Sequence, residues 1–147
     1  AGGAKPTKID LPPPAKFSAY CLPEKAINPE QRPRVYGAKS TNLVQVRRTL
    51  PEWIQTPRSA VVPFGVFEKV LEAPANAAVA ADYAKLAAEA TAVATNGGDP
   101  HGVLARLRAT VLRLEAPEPL VKEVLTALRA SDIIKAGELE GKEWDGA

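Results

Sequence analysis

The stretch GAKSTN, residues 37–42, contains the residue types that bind phosphate groups. Gly37 would let the backbone come close to a ligand, and Lys39 would bring a positive charge to it. If a helix begins here, its first N–H groups and the positive end of its dipole face the same point. The G-x-x-x-x-G-K-[ST] spacing of the Walker loop is absent. Two interpretations stay open: a phosphate-binding helix start with Gly37, Lys39 and Ser40, or a helix capped by Ser40 or Thr41 with Lys39 in solvent.

The composition argues against several other kinds of site. The 147 residues include one cysteine, Cys21, and one histidine, His101. A single cysteine excludes an internal disulfide and a cysteine-based zinc cluster. We expect a buried thiol and a solvated imidazole rather than a nucleophile and its base. The net charge of +2 is too small to indicate a nucleic-acid partner, and no apolar run is long enough to predict a membrane span.

The first 36 residues predict an extended, basic, proline-rich arm. They hold seven of the 14 prolines, with six basic and three acidic side chains. Proline at this density disfavours helices and sheet ladders. Phe17, Tyr20 and Leu22 are apolar groups that a free tail has no reason to carry. We therefore expect these three residues to anchor the arm in pockets on neighbouring protein subunits.

Residues 37–147 predict a mostly helical α+β body with 13 basic and 14 acidic side chains. The first helix is expected over 38–49, with Leu43, Val46 and Leu50 facing inward, and Pro51 stops it. A short strand is expected at 60–62. A second helix is expected from Pro63 to Pro74, with Phe67, Val70 and Leu71 inward.

Three further helices follow from capping residues and breakers. One is expected between an Asn76 cap and Gly97-Gly98, a second from Asp99-Pro100, and a third from Pro117 and Pro119. Arg106, Arg108 and Arg113 stand among acids, which indicates a solvated surface. The predicted core includes these residues: Val79, Tyr83, Leu86, Leu107, Val111 and Val124.

One long stretch resembles a known family. The sequence VYGAKSTNLVQVRRTLPEWIQTPRSAVVPFGVFEKVL, residues 35–71, resembles the start of the nucleotide-binding domain of plant and algal α-glucan water dikinases. Weaker similarity continues through residues 107–124, and the first 34 residues lie outside it. The resemblance implies a truncated ATP-grasp N-subdomain-like body, related to pyruvate phosphate dikinase. It also implies that Lys39 corresponds to the lysine that reaches nucleotide phosphates in that family.

The resemblance also bears on catalysis. Phosphoryl transfer needs acids that hold metal ions and further cationic groups, and this family also uses a phosphate-accepting histidine. These would lie beyond Ala147, and His101 is in no phosphohistidine motif. We therefore expect no catalytic residue, no bound metal and no cofactor in this chain, with Gly37, Lys39 and Ser40 as a vestigial phosphate site.

Two functional hypotheses follow. In the first, the chain is a non-catalytic structural subunit of an organellar assembly, such as an algal mitochondrial respiratory complex, bound to other subunits through its arm. In the second, it is a fragment of a plastidial α-glucan water dikinase that contributes part of a site for ATP and Mg²⁺. The proline-rich arm outside the resemblance favours the first.

Overall fold

The computed structural model describes residues 17–28, 30 and 35–135. This part of the chain forms two short strands and five α-helices, which are, in chain order, β1 (Leu22–Pro23), α1 (Ala38–Thr49), β2 (Ala60–Val61), α2 (Val66–Leu71), α3 (Ala77–Thr95), α4 (His101–Val111) and α5 (Glu118–Ala130). The strands pair antiparallel, with Leu22 opposite Val61. The predicted mostly helical α+β class is confirmed. The run Pro12-Pro13-Pro14 and the tail after Lys135 lie outside the described residues.

Helix boundaries follow the prolines and glycines of the sequence. α1 has the predicted bounds and ends before Pro51. At the end of α3, Gly97 has a φ of +72°, its N–H donates to Ala94 at 3.1 Å, and the Gly98 N–H donates to Val93 at 3.0 Å. This pair of hydrogen bonds is a Schellman motif, so the predicted stop is confirmed. α2 begins later than predicted, at Val66, and its inward residues are Val66 and Val70, whereas Phe67 is 38% exposed.

The buried face of α1 differs from the predicted one. The prediction placed Val46 inward, but 49% of Val46 is exposed, and the helix buries Thr41 and Val44 instead. Thr41 has no exposed surface, and its hydroxyl donates to the Ala38 carbonyl at 3.1 Å. This hydrogen bond satisfies the hydroxyl inside the protein. A rule that counts only apolar residues could not identify a face whose centre is a threonine.

α3 and α4 pack against each other as a helical hairpin. Among the predicted core residues of α3, Val79 is buried, and Tyr83 and Leu86 are half-buried. Of the other predicted core residues, Leu107, Val111 and Val124 are half-buried rather than fully enclosed. Arg106 pairs with Glu89, and Arg113 lies 3.1 Å from Asp82, all on the solvent side.

Asn76 does not cap α3 as predicted. No side-chain cap is found at this helix start, and the Asn76 side chain is fully buried. Its amide nitrogen donates to the carbonyls of Val70 and Glu115 at 2.8 and 2.9 Å, and its oxygen accepts the Glu115 N–H at 2.8 Å. The side chain thus joins the end of α2 to the loop before α5.

Residues 17–28, here called the strap, lie on the helical body. Cys21 and Ile27 are 7% and 2% exposed, and β1 within the strap pairs with β2. α5 packs on these two strands, mainly on β1. Over this part of its length the predicted arm, residues 1–36, is therefore held by its own chain.

Candidate functional site

The start of α1 has an open first turn. Gly37 is the N-cap residue, with an extended backbone at φ −66° and ψ 149°, and no side chain caps the helix. The predicted cap by Ser40 or Thr41 is therefore wrong, because the Thr41 hydroxyl donates backward to a carbonyl. The Ser40 N–H donates to the Gly37 carbonyl at 3.1 Å. The first N–H groups of a helix have no carbonyl acceptor within the helix. The N–H groups of Ala38 and Lys39 are therefore available to a ligand or solvent.

Gly37 is a glycine that the fold itself does not require. Its φ is negative, and a Cβ built on it would meet no heavy atom of the described residues within 4 Å. An alanine would therefore fit. A glycine at such a place leaves room for a ligand to approach the backbone.

Lys39 and Arg47 are basic residues of the same helix with different surroundings. Lys39 is exposed, and no ion pair within residues 17–28, 30 and 35–135 includes it. Arg47 pairs with Glu24, and its Nε donates to the Thr56 hydroxyl at 2.5 Å. Arg47 also donates to the Pro57 carbonyl. Lys39 is thus the cation in the first turn of α1 that is available to an anion, and Arg47, in the last turn, has a structural role.

This turn suits phosphate oxygens better than a metal ion. Amide groups, a lysine and a hydroxyl are donors, whereas Mg²⁺ takes oxygen ligands, mostly carboxylates and waters. In the described part of the chain no three His, Cys, Asp or Glu side chains are placed to hold a metal. Gly37, Lys39 and Ser40 lie together in this turn as donors to an anion. Metal ligands would have to come from outside the described residues.

The three predicted partner anchors make contacts within their own chain. The Phe17 ring packs edge-on against Tyr36 at a centroid distance of 6.2 Å, and Leu22 packs on the cluster of Ile27, Val35, Tyr36, Val44 and Val61. The Tyr20 ring lies 3.7 Å from the Lys69 ammonium. All three keep part of their surface exposed. Contact between Phe17, Tyr20 or Leu22 and another protein stays a prediction.

Cys21 and His101 have the surroundings expected from composition. Cys21 is 7% exposed, and burial raises the pKa of its thiol, aided by the nearby Glu123 carboxylate and opposed by a hydrogen bond with the Leu22 backbone. The His101 side chain is 90% exposed.

None of the described helices is both long enough and apolar enough to span a membrane.

The ion pair between Glu24 and Arg47 is a feature that sequence reasoning missed. The two side chains are 13% and 24% exposed, and the Ser59 hydroxyl donates to Glu24 at 2.8 Å. The group joins the strap, α1 and the loop before β2. The only sequence signal was one of three acidic residues in a mostly basic arm, which does not identify a partner 23 positions away.

Comparison with known proteins shows related sequences of one kind. The chain is 37% identical over 111 residues to the chloroplastic α-glucan water dikinase of Citrus reticulata. The alignment covers 76% of this chain and 7% of that protein. The identities are 37% to chloroplastic α-glucan water dikinase 1 of Arabidopsis thaliana and 36% to the chloroplastic enzyme of Solanum tuberosum, over 8% and 7% of those proteins. No family model matches the chain, and no solved structure matches it.

These relatives favour one of the two hypotheses drawn from the sequence. The fragment hypothesis fits them better, and the accessory subunit of a mitochondrial respiratory complex is not supported by them. The predicted mitochondrial location lacks support too, because three of the relatives are named as chloroplastic. Over about three quarters of its length, this chain is a relative of one segment of the α-glucan water dikinases.

Proposed function

We propose that the chain is a segment of an α-glucan water dikinase-type protein, and that the start of α1 forms one wall of its nucleotide phosphate site. Gly37 lets the phosphate come close to the backbone, Lys39 supplies positive charge, and Ser40 supplies a hydroxyl. The observation that carries the proposal is an exposed lysine at an uncapped helix start in a chain related to this family.

The segment does not catalyse phosphoryl transfer by itself. A metal-assisted transfer needs several charged groups around the phosphates, and one lysine with one helix start does not supply them. A single charge contact also gives weak affinity, because association costs translational and rotational entropy. ATP and Mg²⁺ belong to the complete site, to which this segment contributes phosphate contacts. The names of its relatives support a plastid location over a mitochondrial one.

A chimeric enzyme tests this function. The aligned segment of a plant α-glucan water dikinase is replaced by this chain's segment, and ATP-dependent glucan phosphorylation is measured. We expect activity in the chimera. Lys39→Ala should lower that activity at least about tenfold, since a charge-assisted contact with the transferred group is lost.

Lys85→Ala is the matched control, because Lys85 is an exposed lysine in the middle of α3. It should leave the activity unchanged. Equal activity with and without Lys39 would contradict the phosphate role. A folded chimera that is inactive even with Lys39 would contradict the proposal that this segment can serve in such an enzyme.

A further inference from the structure

Polar contacts hold the strap on the helical body, together with the half-buried side chains of Phe17 and Leu22 that pack on the buried cluster. The N–H groups of Tyr20 and Cys21 donate to the Glu123 carboxylate at 2.6 and 3.4 Å. The Lys69 ammonium donates to the Ser18 carbonyl at 2.5 Å and also lies over the Tyr20 ring. The exposed Lys69 contact adds little to the cost of separating the strap from the body, whereas the hydrogen bonds to Glu123 are partly buried.

An open cleft runs along the boundary between part of the strap and α5. Its volume is about 340 Å³, and it is lined by Cys21, Pro23, Pro119, Lys122, Glu123, Thr126, Ala127 and Ala130. Side chains that line an open cleft have solvent rather than packed neighbours on one side, and elements with less apolar contact open at lower free energy than the core. The β1–β2 pairing is also short, with two residues in each strand.

The C-terminal end of the strap is fixed more firmly. Ile27 is 2% exposed and belongs to the same buried cluster as Tyr36 and Val44. Between residues 17–23 and this fixed point stands Glu24, which pairs with Arg47 and accepts a hydrogen bond from Ser59. The Glu24 N–H also donates to the Ser131 hydroxyl at 3.3 Å.

We propose that residues 17–26 form a unit that opens locally about Ile27 while the helices stay folded, and that the Glu24–Arg47 ion pair controls this opening. Opening uncovers Cys21 and the face of α5 that packs on β1. The closed strap therefore covers this face of α5. The inference does not depend on the proposed function, because it involves neither nucleotide nor the start of α1.

The single thiol of the chain gives a direct readout. Cys21 is the one cysteine, and in the closed strap it is buried on the side that faces α5, so its reaction with a disulfide reagent reports exposure. Rates are measured on the full chain at several low urea concentrations, and global unfolding is followed separately by circular dichroism. Local opening exposes little surface, so the labelling rate should depend on urea several-fold less steeply than global unfolding does.

A matched pair of variants tests the role of the ion pair. Glu24→Gln removes the charge of the partly buried pair, and Glu89→Gln does the same for the exposed pair with Arg106. We expect about tenfold faster labelling in Glu24→Gln, the size of effect typical of a lost charge-assisted contact, and no change in Glu89→Gln.

The results separate opening of the strap from unfolding of the chain. Equal urea dependence of labelling and global unfolding in the unmodified protein would overturn the local unit, whether or not any variant folds. An unchanged labelling rate in folded Glu24→Gln would overturn the role of the ion pair. A flat urea dependence together with faster labelling in Glu24→Gln supports both parts.

Discussion

At the scale of single residues, Asn76 contributes more to the fold than its sequence neighbourhood suggests. It has no exposed surface, and its amide group makes three hydrogen bonds to backbone atoms of Val70 and Glu115. Buried backbone groups need partners, and in this protein one side chain supplies partners for two separate segments. Asn76 therefore fixes the loop before α5 relative to the end of α2.

Replacing Asn76 with alanine should lower the free energy of unfolding by about 2–4 kcal/mol, because the hydrogen bonds are lost and buried backbone groups stay unpaired. Urea denaturation measures the change. Gln45→Ala, which removes an exposed amide side chain from α1, should shift it by no more than about 0.5 kcal/mol. A similar small shift for both variants would mean that water replaces the Asn76 contacts without cost.

Local sequence signals predicted the helix ends better than the contacts made by individual residues. Gly97 and Gly98 stop α3 as expected, since their effect depends on a few neighbouring residues. Asn76 was predicted as a helix cap, although its partner Glu115 lies 39 positions away. No local pattern carries information about such a partner.

At the scale of elements, the rotation of α1 determines which side chains enter the core. Val44 is 5% exposed and lies in the main buried cluster, whereas Val46 is 49% exposed. The predicted face was wrong because Thr41, a polar residue, occupies a buried position. The predicted bounds were correct because Gly37 and Pro51 mark both ends.

The same substitution at two positions of α1 tests this rotation. Val44→Ala should lower the free energy of unfolding by about 2 kcal/mol, since two buried methyl groups are removed and a space remains. Val46→Ala should change it by about 0.5 kcal/mol or less. Both substitutions alter helix propensity equally, so the difference between them in thermal or urea unfolding isolates burial. The reverse order would place Val46 in the core.

At the scale of the whole molecule, the strap contributes a strand on which a helix packs. α5 packs on β1 and β2, and β1 comes from the strap. Composition predicted an extended course for this segment, whereas the structure has two residues of strand in β1 followed by a 3₁₀ turn at Glu24–Ala26. The register of Leu22 opposite Val61 could not be predicted, because it joins residues 39 positions apart in two strands of two residues. Such short strands carry almost no alternating pattern.

A chain that lacks residues 1–34 should therefore be less stable than the full chain. The deletion removes Cys21, Leu22 and Ile27 from buried or half-buried positions and uncovers the face of α5 that lies on β1. Loss of a buried isoleucine alone costs about 2–5 kcal/mol, so the midpoint of thermal unfolding should fall by at least about 10 °C. Thermal unfolding followed by circular dichroism measures the midpoint. Lys25→Ala, which changes an exposed residue of the strap, should leave it unchanged. If the shortened chain unfolds at the same temperature as the full one, the helical body is self-sufficient, and the strap only rests on its surface.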